Sequence, residues 1–296
     1  MIKIRDCLSY LDRCSIQYSF YGNADTVIEG FSSLNNYKDN TMTWLKSSNL
    51  DIPKNIDNMI LVIGDNEADF HAKNKILVGN PKQIFFTLVD AFYGKQNSLK
   101  PIGDNTVISG NVKIGKDVII GSNTTISGDI VIGDNTSIGD NVVIVNNVNI
   151  GKYCVIQSGV TIGHDGFGYY KNECGNLKMI RHYGGVEIAD DVFIGCNTNI
   201  ARGTIDDTII GSGSRIDALC HIAHNVKIGS EVTVVAGSTI YGSATIDDKA
   251  YLATSIIRNQ IKIGEEAFVG MGSVVVKNVD KKDLVIGVPA NKLDNK

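Results

Sequence analysis

The chain has 296 residues, 43% of them hydrophobic and 20% charged, with a formal net charge of −4. The mild acidity offers no field to draw it to nucleic acid or anionic lipid, and no stretch approaches the roughly 18 apolar residues of a membrane-spanning helix. Glycine is abundant (31) and proline scarce (4), with aromatics at only 7%, which suits a repetitive β structure whose turns need small residues.

The start, MIKIRDCLSYLDRCS, is broken by charges and lacks the apolar run of a signal peptide, so a cytoplasmic protein is expected. The six cysteines are scattered without a CxxC pair and read as reduced, small hydrophobes. Residues 1–98 form a small α/β domain. "MIKIRDCLSYLDRCSI" reads as helix, and "IDNMILVIG" and "NKILVGNP" read as strands. "PKQIFFTLVDAFYG", entered by Pro and closed by Gly, reads as a second helix. The junction to the next domain falls near "KQNSLKP".

From residue 99 the pattern changes. Isoleucine stands at 102, 108, 114 and every sixth position onward to 162, and the residue four further on is almost always small or β-branched, as in Thr106, Val112 and Thr124. A period of six excludes the amphipathic helix, whose period is 3.6. It is the signature of a hexapeptide-repeat parallel β-helix, three hexads making each triangular coil. The expected fold is therefore a left-handed parallel β-helix over residues 99–280, with a charged tail at 281–296. The phase resumes at Ile188 and runs to Leu252, then slips by one residue near Arg258. Two interruptions stand out: a long loop at 164–187 and a four-residue insertion, "IDDT", at 205–208. A regular solenoid needs neither, and function tends to reside in such loops.

"HIAHNV" at 221–226 holds two of the five histidines. In phase, His224 lies two residues after Ile222, with Arg202 beneath it, Gly242 one coil on and Gln260 beyond, uncertain by one position because of the slip. A histidine beside a side-chain-free glycine suits acyl transfer: the imidazole takes a proton and a backbone N–H stabilises the oxyanion. Two other readings stay open. The histidines could be solvated surface groups, or they could join His164 or His182 in a zinc site like that of hexapeptide carbonic anhydrases, which needs three or four convergent ligands. A purely structural β-helix is a further alternative, though its flat threonine ladders are only intermittent here.

Several motifs narrow this. "HDGFGYY" at 164–170, "NIARGTIDDTIIGSG" at 199–213, "RIDALCHIAHNVKIG" at 215–229, "GSATI" at 242–246 and "GMGSVV" at 270–275 follow one another in order. Together they resemble the UDP-3-O-acylglucosamine N-acyltransferases of lipid A biosynthesis. "VIEGFSSL", "TMTWL" and "VGNPKQIFFTLVDAFY" extend the likeness into the first domain. The resemblance implies an N-acyltransferase without metal or tightly bound cofactor, working as a homotrimer. The acyl group would travel from acyl carrier protein or CoA to the amine of a UDP- or dTDP-linked amino sugar. It assigns His224 as general base and Gly242 as oxyanion donor. Trp44, the only tryptophan, takes the place of a uracil-stacking residue, but it reads equally as core of the small domain. Asp217 matches an acidic position that orients the base or holds a sugar hydroxyl, or it is merely solvated. Arg202 is a candidate phosphate contact, Gln260 a polar contact in place of a second family histidine, and Met271 and Ser273 candidate acyl-pocket residues.

The chain also departs from the family. "KSSNLD" after Trp44 has no second aromatic, and the ending "VIGVPANKL" resembles that of CoA-dependent acetyltransferases of the same fold. These features leave the expected chemistry intact. They open the alternative of a short-chain acyl-CoA-dependent enzyme acting on another nucleotide amino sugar, for surface polysaccharide or glycan synthesis.

Overall fold

In a computed structural model the protein is described at residues 1–45, 56–94 and 100–293, and the chain divides into two compact units, Met1–Ser98 and Leu99–Lys296. The segment "KSSNLD" lies outside the described residues. Among those described, no helix is long and apolar enough to cross a membrane.

The first unit carries a five-stranded sheet. Gly30–Phe31, Thr41–Trp44, Leu61–Asp65 and Lys75–Val78 run parallel in that order, and Ser19–Tyr21 closes the far edge antiparallel to Lys75–Val78. Helices Ile4–Arg13 and Pro81–Tyr93, a short antiparallel ladder of Ile2–Lys3 with Val27–Ile28 and two single-turn 3-10 helices complete its secondary structure. The second helix starts where the sequence says it should: the Asn80 side chain accepts from the Gln83 N–H, and Pro81 occupies the first turn, where a missing N–H costs nothing. Ile4, Leu11, Met42, Ile63, Ile76 and Leu88 form the core. The strand readings at 61–65 and 75–78 agree with the sheet, and the short strands at 19–21, 30–31 and 41–44 are additions that no clear alternation announced.

The second unit is a parallel β-helix. Thr125 pairs with Val143 and Ile126 with Ile144, one eighteen-residue coil apart, and the same step repeats on all three faces. The isoleucines of the hexad phase point inward: Ile126, Ile144, Ile162, Ile200, Ile222 and Ile240 are fully buried. Those of the first coil, Ile102, Ile108 and Ile114, stay partly exposed. Most corners are turned by a residue three beyond the isoleucine in the left-handed region, such as Asn123, Asn141 and Asn197 at φ near +56. Asparagine tolerates that region better than most residues with a side chain, which explains the recurring "GDN". The handedness is that of the left-handed β-helix.

The structure refines three expectations. The slip expected near Arg258 lies just before it. Thr239 pairs with Ile256 and Ile240 with Ile257, so the coil loses its residue around Ala253–Ser255, and the fully buried Ile257 keeps the phase. The solenoid does not end at 280. Leu284–Ile286 adds a further parallel rung on Phe268–Val269, and Asn291–Lys292 folds back antiparallel on it. The apolar "LVI" finds an exposed sheet edge there and covers it. Finally, the long loop is not wholly irregular, since Tyr169–Lys171 and Leu177–Met179 form an antiparallel hairpin.

Candidate active site

Successive rungs of one face are Thr161–His164, Asn199–Ala201, His221–Ile222, Thr239–Ile240 and Ile256–Ile257. The corner that follows them carries, coil by coil, the hairpin excursion, the "IDDT" insertion, His224, Gly242 and Asn259. Both irregularities of the repeat thus leave the solenoid at the same corner, directly before the histidine coil. They brace one another. The Tyr183 N–H donates to Thr204 O, Gly203 N–H to Gly185 O and Gly185 N–H to the Asp207 carboxylate. Between the excursion and the coils lies a cleft of about 710 Å³. Phe167, Tyr169 and Met179 give it an apolar wall, and His221, His224, Gly242, Asn259 and Gln260 face it from the solenoid.

His224 is held on several sides. A Cβ on Gly242 would stand 2.8 Å from its Cε1 and Nε2, so the slot left by the glycine is filled by the imidazole itself. On the other side Gly166 of the excursion packs against it, where a Cβ would come within 2.8 Å of Cδ2. The His182 ring, 4% exposed, meets it edge to face at 5.3 Å between centroids.

The tautomer of His224 follows from its neighbour. Asn225 Nδ2 donates to the Asp206 carbonyl at 2.9 Å, which fixes the amide orientation. Its Oδ1 then accepts from the Thr204 N–H at 3.0 Å and from the Thr204 hydroxyl. The His224 Nδ1, 3.0 Å from that same oxygen, must therefore be the protonated nitrogen. Nε2 is left with its lone pair, which is what a general base requires. The insertion at 205–208 thus acts on the imidazole through Asn225, a residue sequence reasoning passed over although it adjoins His224 in "HNV".

Gly242 presents the complementary group. At several corners the N–H two beyond the isoleucine is capped by an aspartate one coil on: Ser122 by Asp140 at 2.6 Å, Lys152 by Asp190 at 2.7 Å, Ser230 by Asp248 at 2.8 Å. The equivalent of those aspartates above Gly242 is Asn259, and among the described residues nothing accepts the Gly242 N–H. An uncapped donor beside a base with a free lone pair is the arrangement acyl transfer uses.

The other expected site residues fall as follows. Gln260 lines the cleft, but the slip makes Asn259 the register partner of Gly242, with Gln260 in the left-handed corner position at φ +61. Arg202 does lie one coil below His224, yet its Nε donates to the Gly184 carbonyl at 2.6 Å. That bond ties the excursion down, and Arg202 is not among the residues that line the cleft. Asp217 sits a corner away, because seven residues span one hexad and one more; its carboxylate accepts the Ala218 N–H at 2.7 Å and the Ala236 N–H at 3.3 Å. It does not touch His224. Met271 is 78% exposed at that other corner, and Ser273 is fully buried, its Oγ accepting the Gly287 N–H at 3.1 Å. Neither lines the cleft, because Met271 stands at a different corner of the prism and Ser273 points into the core. Trp44 is half-buried and packs on the core of the first unit. Cys220 points inward, as its mid-repeat place implied. Among the described residues no cluster of three or more His, Cys, Asp or Glu could hold a metal ion.

The sequence matches the family model "Bacterial transferase hexapeptide (six repeats)" at residues 129–164 and 207–242. It is 42% identical over 130 residues to UDP-3-O-acylglucosamine N-acyltransferase 2 of Rhodopseudomonas palustris, covering 43% of this chain and 34% of that one. To the UDP-3-O-acylglucosamine N-acyltransferase of Bordetella parapertussis it is 35% identical over 130 residues, 43% and 36% of the two chains. The matched stretch is thus about a third of the curated relatives' length. Among solved structures, the UDP-N-acetylglucosamine acyltransferase of Francisella novicida superposes with a TM-score of 0.59 at 28% identity, covering 64% of this chain and 68% of that one. The enzyme of the same name from Campylobacter jejuni, at 24% identity and a TM-score of 0.59, supports the fold alone.

Proposed function

We propose that this protein is an acyltransferase that moves an acyl group from a thioester, on acyl carrier protein or CoA, to the amine of a nucleotide-activated amino sugar. The observation that carries this reading is the pairing of His224 Nε2, held as a proton acceptor, with the uncapped N–H of Gly242. The names of the curated relatives, acyltransferases of a UDP-amino sugar, agree with it.

In the reaction the sugar amine attacks the thioester carbonyl carbon. His224 Nε2 takes the amine proton as the C–N bond forms, while Asn225 Oδ1 keeps Nδ1–H in place and so steadies the imidazolium. The carbonyl oxygen, now an oxyanion, lies against the Gly242 N–H. The C–S bond then breaks, and the imidazolium returns the proton to the leaving thiolate. A positioned base contributes about 10²–10⁴ in rate and an oxyanion donor about 10²–10³. The excursion's apolar wall, with Phe167 and Tyr169 ring centroids 4.9 Å apart, gives the acyl chain or the sugar ring a surface to lie on.

The resemblance adds a homotrimer, Trp44 as a nucleotide-stacking residue, and no metal or tightly bound cofactor; light scattering on the purified protein reads the trimer directly. The chemistry is tested by a donor and acceptor screen scored by mass spectrometry, with wild type beside His224→Ala. Long-chain acyl carrier protein, acetyl-CoA and hydroxybutyryl-CoA are the donors. Transfer that falls by about 10² or more in the variant is expected. Undiminished transfer by His224→Ala would remove the histidine from the chemistry.

A further inference from the structure

A second imidazole faces the cleft, and the solenoid fixes its protonation pattern through a chain of three side chains. His164, Asn199 and His221 stand on consecutive coils of one face, Asn199 pairing with His221 across the rungs. The chain can be read from one end. His164 Nδ1 lies 2.9 Å from the carbonyl oxygen of Asp165, and a carbonyl only accepts, so Nδ1 carries the proton. In a neutral ring His164 Nε2 is then a lone pair, and it meets Asn199 Nδ2, which only donates. That orientation turns Asn199 Oδ1 toward His221 Nδ1 at 3.1 Å, and an amide oxygen only accepts, so His221 Nδ1 is protonated as well. The remaining nitrogen of His221, Nε2, is left as an acceptor on a side chain that lines the cleft. Burial, reinforced by His164 and His224 nearby, holds the His221 pKa below the usual histidine value and favours the neutral ring this pattern requires.

The cleft therefore holds two imidazoles, each with Nδ1–H fixed and Nε2 as its acceptor nitrogen, on separate supports. His224 is set by Asn225 and the insertion, and His221 is set by Asn199 and His164. One acceptor suffices to deprotonate the amine. From the second we propose that His221 Nε2 accepts a hydrogen bond from a free hydroxyl on the sugar carbon beside the reacting amine, with His164 and Asn199 as the positioning residues of that contact. This rests on the function proposed above and narrows it. An ester oxygen carries no hydrogen, so an acceptor acylated at that hydroxyl, as in the substrate named for the curated relatives, leaves His221 unpaired. The chain thus selects amino sugars whose neighbouring hydroxyl is free.

Two measurements on the full-length protein test this. The first is long-range ¹H–¹⁵N correlation of the imidazoles in the free protein, assigned with His→Gln variants, which needs no turnover. His221 and His164 are expected as neutral Nδ1–H tautomers, with His221 losing that preference in Asn199→Ala. A wild-type His221 protonated at Nε2 overturns the relay whatever the protein catalyses. The second is calorimetric binding of UDP-glucosamine, its 3-deoxy counterpart and its 3-O-acyl derivative. Wild type is expected to favour the free hydroxyl over the deoxy sugar by roughly tenfold, the worth of one hydrogen bond, and Asn199→Ala to lose that preference. His221→Gln, which keeps an acceptor oxygen, is expected to recover part of it. Equal binding of the three by wild type, or a preference that survives Asn199→Ala, overturns the proposal. Failure of acyl transfer with correct tautomers and selective binding would count against the proposed reaction and leave the relay standing.

Discussion

At residue 242 a side chain is excluded by His224, since a Cβ there would lie 2.8 Å from two atoms of its ring. That position also keeps an N–H that aspartates cap at several other corners. Gly242→Ala therefore disturbs the proposed base and the proposed oxyanion donor together while touching no core contact. The expected result is a fall in kcat of about 10²–10³ with an unchanged melting temperature. A variant at wild-type rate would show that the imidazole can move aside without loss. Much of this site was legible from phase counting, because hexads place residues without coordinates: His224 over Arg202 and under Gly242 was right in register. What counting could not see was where side chains spend their hydrogen bonds. Arg202 serves Gly184, and Asp217 serves backbone amides at another corner. Asn225, the packing of His182 against His224 and the Asn199 relay left no sign in the sequence, because contacts between stacked coils and an ejected loop have no period.

Individual rungs are short, often two residues, and each is stable only because the coils above and below bond to it and its isoleucine joins a continuous apolar column. The sequence states this directly through its six-residue phase. Ile216 is fully buried in that column, while Ile209, one position out of phase, is 38% exposed. Ile216→Ala is expected to cost about 2–5 kcal/mol, and Ile209→Ala to stay within about 0.5 kcal/mol, both read by denaturant titration. Equal losses would mean that the phase does not mark the core. The elements that broke the phase were also recognisable, but only as breaks. That the hairpin and the insertion emerge at one corner and brace each other depends on their hydrogen bonds, not on their spacing.

For the whole molecule, two kinds of core are present, and the cysteines report on each. Cys7 is buried among the helix and sheet residues of the first unit, and Cys154 and Cys220 lie inside the solenoid, whereas Cys14 and Cys174 are exposed. Burial pushes the Cys7 thiol up to about 12 and raises Cys154 and Cys220, so little thiolate is available at mild alkaline pH. A short alkylation pulse at pH 8, followed by peptide mass spectrometry, is expected to modify Cys14 and Cys174 and spare the three buried thiols. Labelling of Cys154 or Cys220 alongside the exposed pair would contradict the inward-facing column.

The repeat by itself determined the parallel β-helix, its inward residues, the phase of His224 and Gly242 and the existence of two interruptions. It could do so because a solenoid is nearly one-dimensional and its contacts recur at a fixed sequence separation. The tertiary structure alone decided which nitrogen of each histidine holds a proton, which expected residues reach the cleft, and that the ending adds one more rung. Those outcomes depend on hydrogen bonds between residues brought together by the ejected loop, by the slip and by the closing strand, where sequence separation no longer measures distance.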